Sequence, residues 1–322
     1  MSNRIWYIDY AKILGLFLVI LGHLYTSEVS CPGQMIRTFI FGFHMPFFFA
    51  VSGMLYKQRK EGLVFAIRKN FQSLLIPYLV FNLFFILYNT IVLDSSIYAE
   101  LRKFIRAVLF GRGSPCRASW FVLCLFVAKC IYDLIIYSGK KFLLIIVLVI
   151  TFLPIKFQVF YLSSALIGLI FFYLGHFSFN YLNQLNIRKL FYLILAICCF
   201  IISWYLTLYN GKVSVVGVKM GNPLIFYANA IIGSIGLISL AMILKDKNNH
   251  FIAKISSASI GVVLMHMAMV HQVRLIIQGF TLSPIGEFII YSTASVIIYL
   301  ICYYLYFVIN KYFPWAFGRR HI

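Results

Sequence analysis

The feature that most constrains this chain is a series of apolar runs about as long as a membrane crossing. A helix that crosses a bilayer needs about 20 mainly apolar residues. Cutting the sequence at charged residues and at Gly, Pro and Asn clusters gives ten runs, at about 10–28, 36–56, 70–93, 119–138, 142–155, 159–178, 190–210, 223–244, 258–277 and 284–310. The pattern predicts an all-α, polytopic transmembrane helix bundle of about ten spans, in a single domain covering 1–322.

The composition excludes several classes of protein. Of the 322 residues, 62% are hydrophobic and 11% are charged, whereas soluble domains average about 45–50% apolar and about 25% charged residues. A soluble chain of this size buries only about 75% of its surface, so its core could not hide this much apolar surface. A soluble enzyme, a disordered chain and a nucleic-acid-binding domain are therefore excluded.

The formal net charge of +20 is distributed unevenly along the chain. Lys and Arg are more numerous in the connections that would share a side with both chain ends, and this bias predicts both termini in the cytoplasm. Most of the basic excess is thus interpreted as loop charge, and the rest could serve an anionic ligand. The exception is 94–118, which is basic but would lie outside. Its stretch AELRKFIRAVLF has helical apolar spacing, which indicates an interfacial amphipathic helix or a re-entrant piece capping a cavity.

Three ionisable residues share one face of the first predicted span. Lys12 and His23 are eleven positions apart, which places them on one helix face with about 16 Å between them. Asp9 lies three positions before Lys12, close enough to pair with it. Asp9 and Lys12 could be interfacial charges, with His23 bonded to a neighbouring helix. Alternatively the stripe belongs to an active site, with His23 as general base because imidazole titrates near neutral pH.

Two more histidines lie inside apolar runs. His44 precedes Pro46, which predicts a kinked or broken second helix. If the first two helices are antiparallel, His23 and His44 could meet at similar depth. His266 lies in the middle of the ninth run and is either functional or bonded to another helix. No Cys, Asp or Glu joins these histidines at ligand spacing, so no metal site is predicted.

Basic residues also mark the connection between the second and third runs. Arg59, Lys60, Arg68 and Lys69 would lie at the cytoplasmic face. They are either ordinary positive-inside residues or a phosphate site, for which guanidinium groups have suitable geometry. Arg117 and Trp120 lie at the start of the fourth run, where Trp is commonly an interface anchor.

The strings IDYAKILGLFLVILGH, FHMPFFFAVSG, RKNFQSLLIPY, SWFVLCLF and SIGVVLMH together resemble the integral-membrane acyltransferase-3 family. Their order and spacing match across nearly the whole chain, and the nearest branch is the fucose O-acetylase-like and polysaccharide O-acetyltransferases. The resemblance implies a bundle of about ten helices. It also implies acetyl transfer from cytoplasmic acetyl-CoA to a hydroxyl of a surface glycan or its lipid-linked precursor, in a bacterial cytoplasmic membrane.

The resemblance also implies roles for individual residues. The family's first-helix motif is a basic residue, ten others and then an essential His, which Lys12 and His23 match, with Lys where many members have Arg. Arg68 matches a basic residue linked to acyl-CoA use. His44, Trp120 and His266 match further motif positions. No separate hydrolase-like domain follows, so transfer is expected within the membrane domain.

The resulting hypothesis assigns catalysis to Asp9, His23 and His44. The phosphates of acetyl-CoA would lie near Lys12, Arg68, Lys69 and Arg59, with the thioester delivered to His23 and the hydroxyl oriented by His44. The acceptor would contact Trp120, Arg117 and His266, and 94–118 could hold an anionic part of it. An acetyl-His intermediate is a variant of this scheme. No metal and no nucleic acid are expected.

Two other functions remain open at this point. A secondary transporter for a lipid-linked sugar or polyanion would also use intramembrane histidines and a broken helix, but such transporters commonly contain internal repeats, and none is evident. A structural membrane subunit would leave the first-helix stripe unexplained.

Overall fold

The computed structural model describes residues 4–26, 29–111, 113–153, 157–185, 187–277, 280 and 282–319. These residues form α-helices and short helical turns, and no strand occurs in the part described. The α-helices are α1 Trp6–Leu24, α2 Cys31–Met54, α3 Leu63–Asn70, α4 Ile76–Val92, α5 Ile97–Phe110, α6 Trp120–Ser138, α7 Leu143–Phe152, α8 Leu162–Gln184, α9 Lys189–Asn210, α10 Pro223–Met242, α11 His250–Ser257, α12 Ser259–Ile277 and α13 Pro284–Tyr312. The all-α prediction is confirmed.

Nine helical segments among the described residues are long and apolar enough to cross a membrane, so the polytopic prediction is confirmed. One of them joins α3 and α4 through a π-helical turn, Phe71–Leu75, to form the continuous segment Leu63–Val92. The predicted run 142–155 forms only the ten-residue helix α7. At 1.5 Å per residue, α7 measures about 15 Å, half of the roughly 30 Å hydrocarbon core of a bilayer.

Pro46 does not interrupt α2, which is continuous from Cys31 to Met54. The broken second helix considered above is therefore not realised. Proline has no N–H, so the carbonyl of Gly42, four residues earlier, has no donor from Pro46. The helix passes this point within a densely apolar stretch in which Phe43, Phe47 and Phe49 are fully buried.

The chain divides into two compact units. The first unit comprises Met1–Val51, Ser178–Ser214 and Met220–Tyr306. In it α1 packs on α10, α11 and α12, and α9 packs on α10. Gly22 allows α2 to approach α1 closely, because a Cβ at Gly22 would lie 2.8 Å from the Phe41 ring and 3.1 Å from Ile40.

The second unit comprises Ser52–Phe177, Val215–Lys219 and Phe307–Ile322. In it α3 packs on α6 and α4 packs on α5, and the short 3-10 helix Pro314–Phe317 contacts α4. The helix expected within 94–118 is present as α5, which exposes Leu101, Ile105 and Leu109 as well as Arg102 and Arg106. The single domain covering 1–322 stays a prediction. The cytoplasmic location of both termini also stays a prediction.

Candidate functional site

The first unit brings two of the predicted histidines into ring contact. His23, one residue before the end of α1, has its imidazole centroid 5.4 Å from that of His266 on α12. The ring centroid of Phe41 on α2 lies 5.4 Å from that of His23 and 4.8 Å from that of His44. We call His23, His44 and His266 the imidazole cluster. The imidazole that meets His23 thus comes from α12, and His44 is linked to His23 through the ring of Phe41.

Hydrogen bonds to the backbone fix the tautomers of two of these rings. Nδ1 of His44 lies 3.0 Å from the carbonyl oxygen of Ile40, and Nδ1 of His266 lies 2.9 Å from that of Val262. A carbonyl oxygen only accepts, so each Nδ1 carries a proton and, in the neutral ring, each Nε2 carries a lone pair.

Accessibility separates the three rings. His266 is 1% exposed and its Nε2 has no hydrogen-bond partner among the described residues. His44 is 6% exposed, whereas His23 is only partly buried. His23 is therefore the most exposed ring of the cluster, and the Nε2 of the neighbouring His266 is a buried acceptor without a partner among the described residues.

The end of α1 that carries His23 is held by an arginine. The Arg274 side chain on α12 donates to the backbone carbonyl of His23. The last carbonyls of a helix lack intrahelical donors, and a cation there also complements the helix dipole. Arg274 lies near the end of the ninth run, and the sequence pattern predicted no role for it.

Asp9 and Lys12 pair as predicted, but within a larger cluster at the opposite end of α1, which we call the Asp9 cluster and which consists of Arg4, Asp9, Lys12 and Ser256. Lys12 Nζ lies 3.7 Å from the Asp9 carboxylate. The buried carboxylate also accepts from Arg4 Nε at 2.6 Å and from the Ser256 hydroxyl at 2.5 Å. Lys12 Nζ reaches the same Ser256 oxygen at 3.3 Å. These contacts attach α1 to α11, and Asp9 is not brought to His23.

The second unit contains a pocket of about 200 Å³ whose lining is rich in cations. We call it the basic pocket, and its charged lining residues are Lys57, Arg59, Lys69, Lys129 and Asp133. Two of the predicted donor-binding residues, Arg59 and Lys69, therefore lie together. Arg68 is exposed on α3 beside Lys69 but is not among the residues that line the pocket.

A buried carboxylate organises the basic pocket. Asp133 on α6 is 2% exposed and accepts hydrogen bonds of 2.7 Å from both the Tyr56 hydroxyl and Asn70 Nδ2. Burial and the hydrogen bond to Asp133 raise the pKa of Tyr56 above its ordinary value, so this hydroxyl remains a donor. The Tyr137 hydroxyl donates to the backbone carbonyl of Arg59 at 2.5 Å, which positions the loop that carries Arg59.

Trp120 and Arg117, predicted to bind the acceptor, also lie in the second unit. Trp120 begins α6 and its ring lies 6.2 Å from that of Tyr161. Arg117 is exposed in the connection before α6. His266, the third residue of that predicted set, belongs to the first unit.

Sequence reasoning missed several members of both clusters. Lys129 and Asp133 are charged residues within the fourth run to which the sequence analysis gave no role, although an intramembrane carboxylate is itself a signal of function. Arg4 and Ser256 had no signal, because nothing in their local sequence shows that they meet Asp9. Among the described residues, no group of three or more His, Cys, Asp or Glu side chains could hold a metal ion.

The family model of the acyltransferase-3 family, described as an acyltransferase domain, matches residues 5–313. Comparisons with curated proteins and with solved structures give no match. The matched region contains the imidazole cluster, the Asp9 cluster except for Arg4, and the whole lining of the basic pocket.

Proposed function

The chain belongs to the acyltransferase-3 family, and on that premise we propose that it moves an acetyl group from acetyl-CoA to a hydroxyl of a surface glycan or its lipid-linked precursor. It is a multi-pass membrane acyltransferase. The proposal adds the donor, the acceptor and the residues that act, and locates the protein in the cytoplasmic membrane of a bacterium. The observation that carries it is the contact between the partly exposed His23 and the fully buried His266.

The basic pocket supports the choice of donor. Three lysines and one arginine surround it, and phosphate groups are bound by such ammonium and guanidinium groups. Its volume of about 200 Å³ is below the about 300–1,000 Å³ of pockets that enclose a whole ligand. We therefore assign it to the phosphates of acetyl-CoA, and not to the whole molecule.

The imidazole cluster supports the choice of base. His266 holds its proton on Nδ1 against Val262, so its Nε2 can accept the N–H of His23. That hydrogen bond would leave the other nitrogen of His23 with a lone pair for the acceptor hydroxyl. This arrangement follows the general logic in which a base is oriented by a third group. His266 then acts as a positioning residue behind His23, and not through direct contact with the acceptor as first predicted.

The proposed reaction balances without a metal or a redox partner. His23 takes the proton of the acceptor hydroxyl as its oxygen attacks the thioester carbonyl. The tetrahedral intermediate collapses, the carbon–sulfur bond breaks, and the CoA thiolate takes the proton from His23. The products are an O-acetyl ester and CoA. If acetyl-His forms first, the same proton balance holds in two steps, and the kinetics become ping-pong.

The test of the function uses a strain from which the gene has been deleted. Complementation with the wild-type gene is expected to restore one O-acetyl resonance in the NMR spectrum of the surface polysaccharide, at unchanged chain length. His23→Ala, expressed at the same level, should leave that resonance absent. His250→Ala is the matched control, because His250 is exposed on α11. Normal acetylation with His23→Ala would refute the assignment of the base, and lost polymer export would favour a transporter.

The test of the donor site uses the full-length protein in nanodiscs. Lys69→Ala and Lys129→Met should raise the KM for acetyl-CoA by roughly tenfold or more, because a hydrogen bond to a charged group contributes about 1.5–3 kcal/mol. Lys60→Ala is the control, since Lys60 is exposed in the same connection and does not line the pocket. An unchanged KM in both pocket variants would remove the phosphate assignment.

A further inference from the structure

A second pocket, of about 270 Å³, lies in the first unit between α2 and α9. It includes no member of the imidazole cluster or of the Asp9 cluster. Its chemically distinctive lining residues are Cys31, Gln34, Thr38, Trp204, Thr207 and Lys212. Those from α2 and those from α9 recur at helical spacing, so each helix contributes one stripe. We call this the α2–α9 pocket.

Hydroxyl oxygens and a cation make this lining unlike a lipid-facing groove. The Thr38 hydroxyl donates to the carbonyl of Gln34 and the Thr207 hydroxyl to that of Ser203, both at 2.8 Å. A hydroxyl oxygen has two lone pairs, so Thr38 can also accept a hydrogen bond. Thr207 already accepts from Asn229 Nδ2 at 3.0 Å and can accept one more. Lys212 is exposed at the rim. A saturated acyl chain would use neither the acceptors nor the ammonium group.

Trp204 adds an aromatic wall of fixed orientation. Its ring lies 5.4 Å from that of Phe39 on α2, and only part of its surface is exposed. The indole is large, apolar and able to donate a hydrogen bond. A small-ligand site usually combines an apolar wall with a few placed polar groups. Here the combination suits a saccharide ring, which has C–H groups on its faces and hydroxyl groups at its edge.

The inner end of the α2–α9 pocket lies close to Phe41 along α2. Cys31 is the first residue of α2 and is exposed, whereas Thr38 lies about 10 Å deeper along the helix axis. Phe41 follows Thr38 by one helical turn, and its ring contacts both His23 and His44. A ligand that enters at Cys31 therefore has its inner end about one turn of α2 from the ring that touches His23.

We infer that the α2–α9 pocket is the acceptor subsite, and that it takes a hexose ring with a neighbouring negative charge on a carboxylate or a phosphate. The inference rests on the proposed function, since it supplies the hydroxyl that His23 activates. Trp204 supports the ring, Thr38 and Thr207 accept from its hydroxyls, and Lys212 pairs with the anionic group. None of these residues was singled out from the sequence.

The kinetic test measures the full-length enzyme in nanodiscs with hexoses, hexuronic acids and hexose 1-phosphates. Trp204→Ala should raise the KM for the saccharide roughly tenfold and leave the KM for acetyl-CoA unchanged. Tyr205→Ala is the matched control, because Tyr205 is 60% exposed on the same helix and does not line the pocket. Lys212→Gln should weaken the two anionic classes and leave neutral hexoses unaffected, and the more weakened class identifies carboxylate or phosphate.

A labelling test reports on binding without catalysis. The saccharides should slow maleimide modification of Cys31, which is exposed and lines the pocket. In a Cys31→Ser background, modification of Ser283→Cys, at an exposed position of the same unit, should not change. This arm separates the subsite from the reaction, because it requires neither acetyl-CoA nor turnover.

Each outcome decides the inference. Protection of Cys31 by the saccharides supports it, even if the wild-type protein transfers no acetyl group and the proposed function fails. Absence of protection, together with a normal saccharide KM in Trp204→Ala, overturns the subsite and leaves the acetyl transfer standing. Inorganic phosphate that protects Cys31 as well as the saccharides do also overturns the inference, because the pocket would then hold any anion. Protection of Cys31 by decyl phosphate and by no saccharide overturns it too, because the pocket would then hold a lipid chain.

Discussion

At the residue scale, His266 shows how burial can assign a role. It is 1% exposed, its Nδ1 is bonded to the backbone, and its Nε2 lies unpaired among the described residues beside His23. Sequence position placed it in the middle of a span but could not show which ring it faces. A buried acceptor is costly when unused, which agrees with the proposed role in which His266 Nε2 accepts the N–H of His23.

A substitution at His266 tests this role. His266→Gln should lower kcat by roughly tenfold and leave the KM for acetyl-CoA unchanged, because it removes orientation of the base and no donor contact. His23→Ala should lose at least about a hundredfold, the usual contribution of a general base. Both losses of kcat are measured from initial rates at several pH values, with the proteins in nanodiscs, and are then compared. A shift of the pH profile in His266→Gln distinguishes positioning from a loss of fold, and equal losses with an unchanged profile would contradict it.

Cysteine reactivity gives a second residue-scale prediction. Burial raises the pKa of the Cys116 thiol to about 12, and the residue is 1% exposed. The thiolate is the reactive form, so Cys116 stays protonated and unreactive up to strongly alkaline pH. Maleimide followed by peptide mass spectrometry should modify the exposed Cys31 and leave Cys116 intact at neutral and mildly alkaline pH. Modification of both at similar rates would show that the connection before α6 opens.

At the element scale, Asp133 links helix packing to the basic pocket. Its carboxylate joins α6 to the end of α3 through Asn70 and to the loop after α2 through Tyr56. The sequence showed a charge inside a span, which is a functional signal. It could not show that the loop and α3 return to that carboxylate, because the contacts join residues 63 and 77 positions apart.

Removing the carboxylate should affect stability and donor binding together. Asp133→Ala leaves two donors unsatisfied, which costs about 1–3 kcal/mol each, and should lower the thermal unfolding midpoint and raise the KM for acetyl-CoA. Asp246→Ala is the control, because its pair with Lys189 is exposed and such pairs contribute about 0–1 kcal/mol. If the two variants unfold at the same temperature, Asp133 does not organise the pocket.

The close approach of α1 and α2 sets the position of the Phe41 ring. Gly22→Val would place methyl groups against Phe41 and Ile40, where even a Cβ lies 2.8 Å and 3.1 Å from them. Overpacking of this kind costs about 1–3 kcal/mol, and activity should fall because Phe41 touches His23. Gly286→Ala is the control, because the nearest atom to a Cβ at Gly286 is the Ser283 hydroxyl oxygen, at 3.3 Å. Full activity in Gly22→Val would show that this contact does not set the site.

At the scale of the whole molecule, α7 decides the topology. The positive-inside bias predicts both termini in the cytoplasm only if the 142–155 run crosses the membrane, yet α7 has ten residues. If it does not cross, every later connection changes side. The helices α8 to α13 would then be inverted relative to the predicted arrangement. The α2–α9 pocket provides a check, because its lining combines residues that precede α7 with residues that follow it.

Cysteine scanning with a membrane-impermeant reagent tests this topology. Lys140→Cys and Arg188→Cys lie on either side of the segment containing α7 and α8, and both are exposed. Both should be protected in intact cells and labelled after permeabilisation, whereas Lys212→Cys should be labelled from outside. The control is Lys60→Cys, in the strongly basic connection expected inside. External labelling of Arg188→Cys would show that α7 does not cross.

Patterns along the chain predicted the bilayer setting, the helical class, the candidate base His23 and the basic connection that contains Arg59 and Lys69. These follow from hydropathy, charge and spacing along one helix, which are local properties. The tertiary structure decided which histidine meets His23, which carboxylate orders the basic pocket, and that α2 and α9 form a second pocket. These depend on contacts between residues far apart in sequence, and helix packing is set by side-chain fit that no single segment contains.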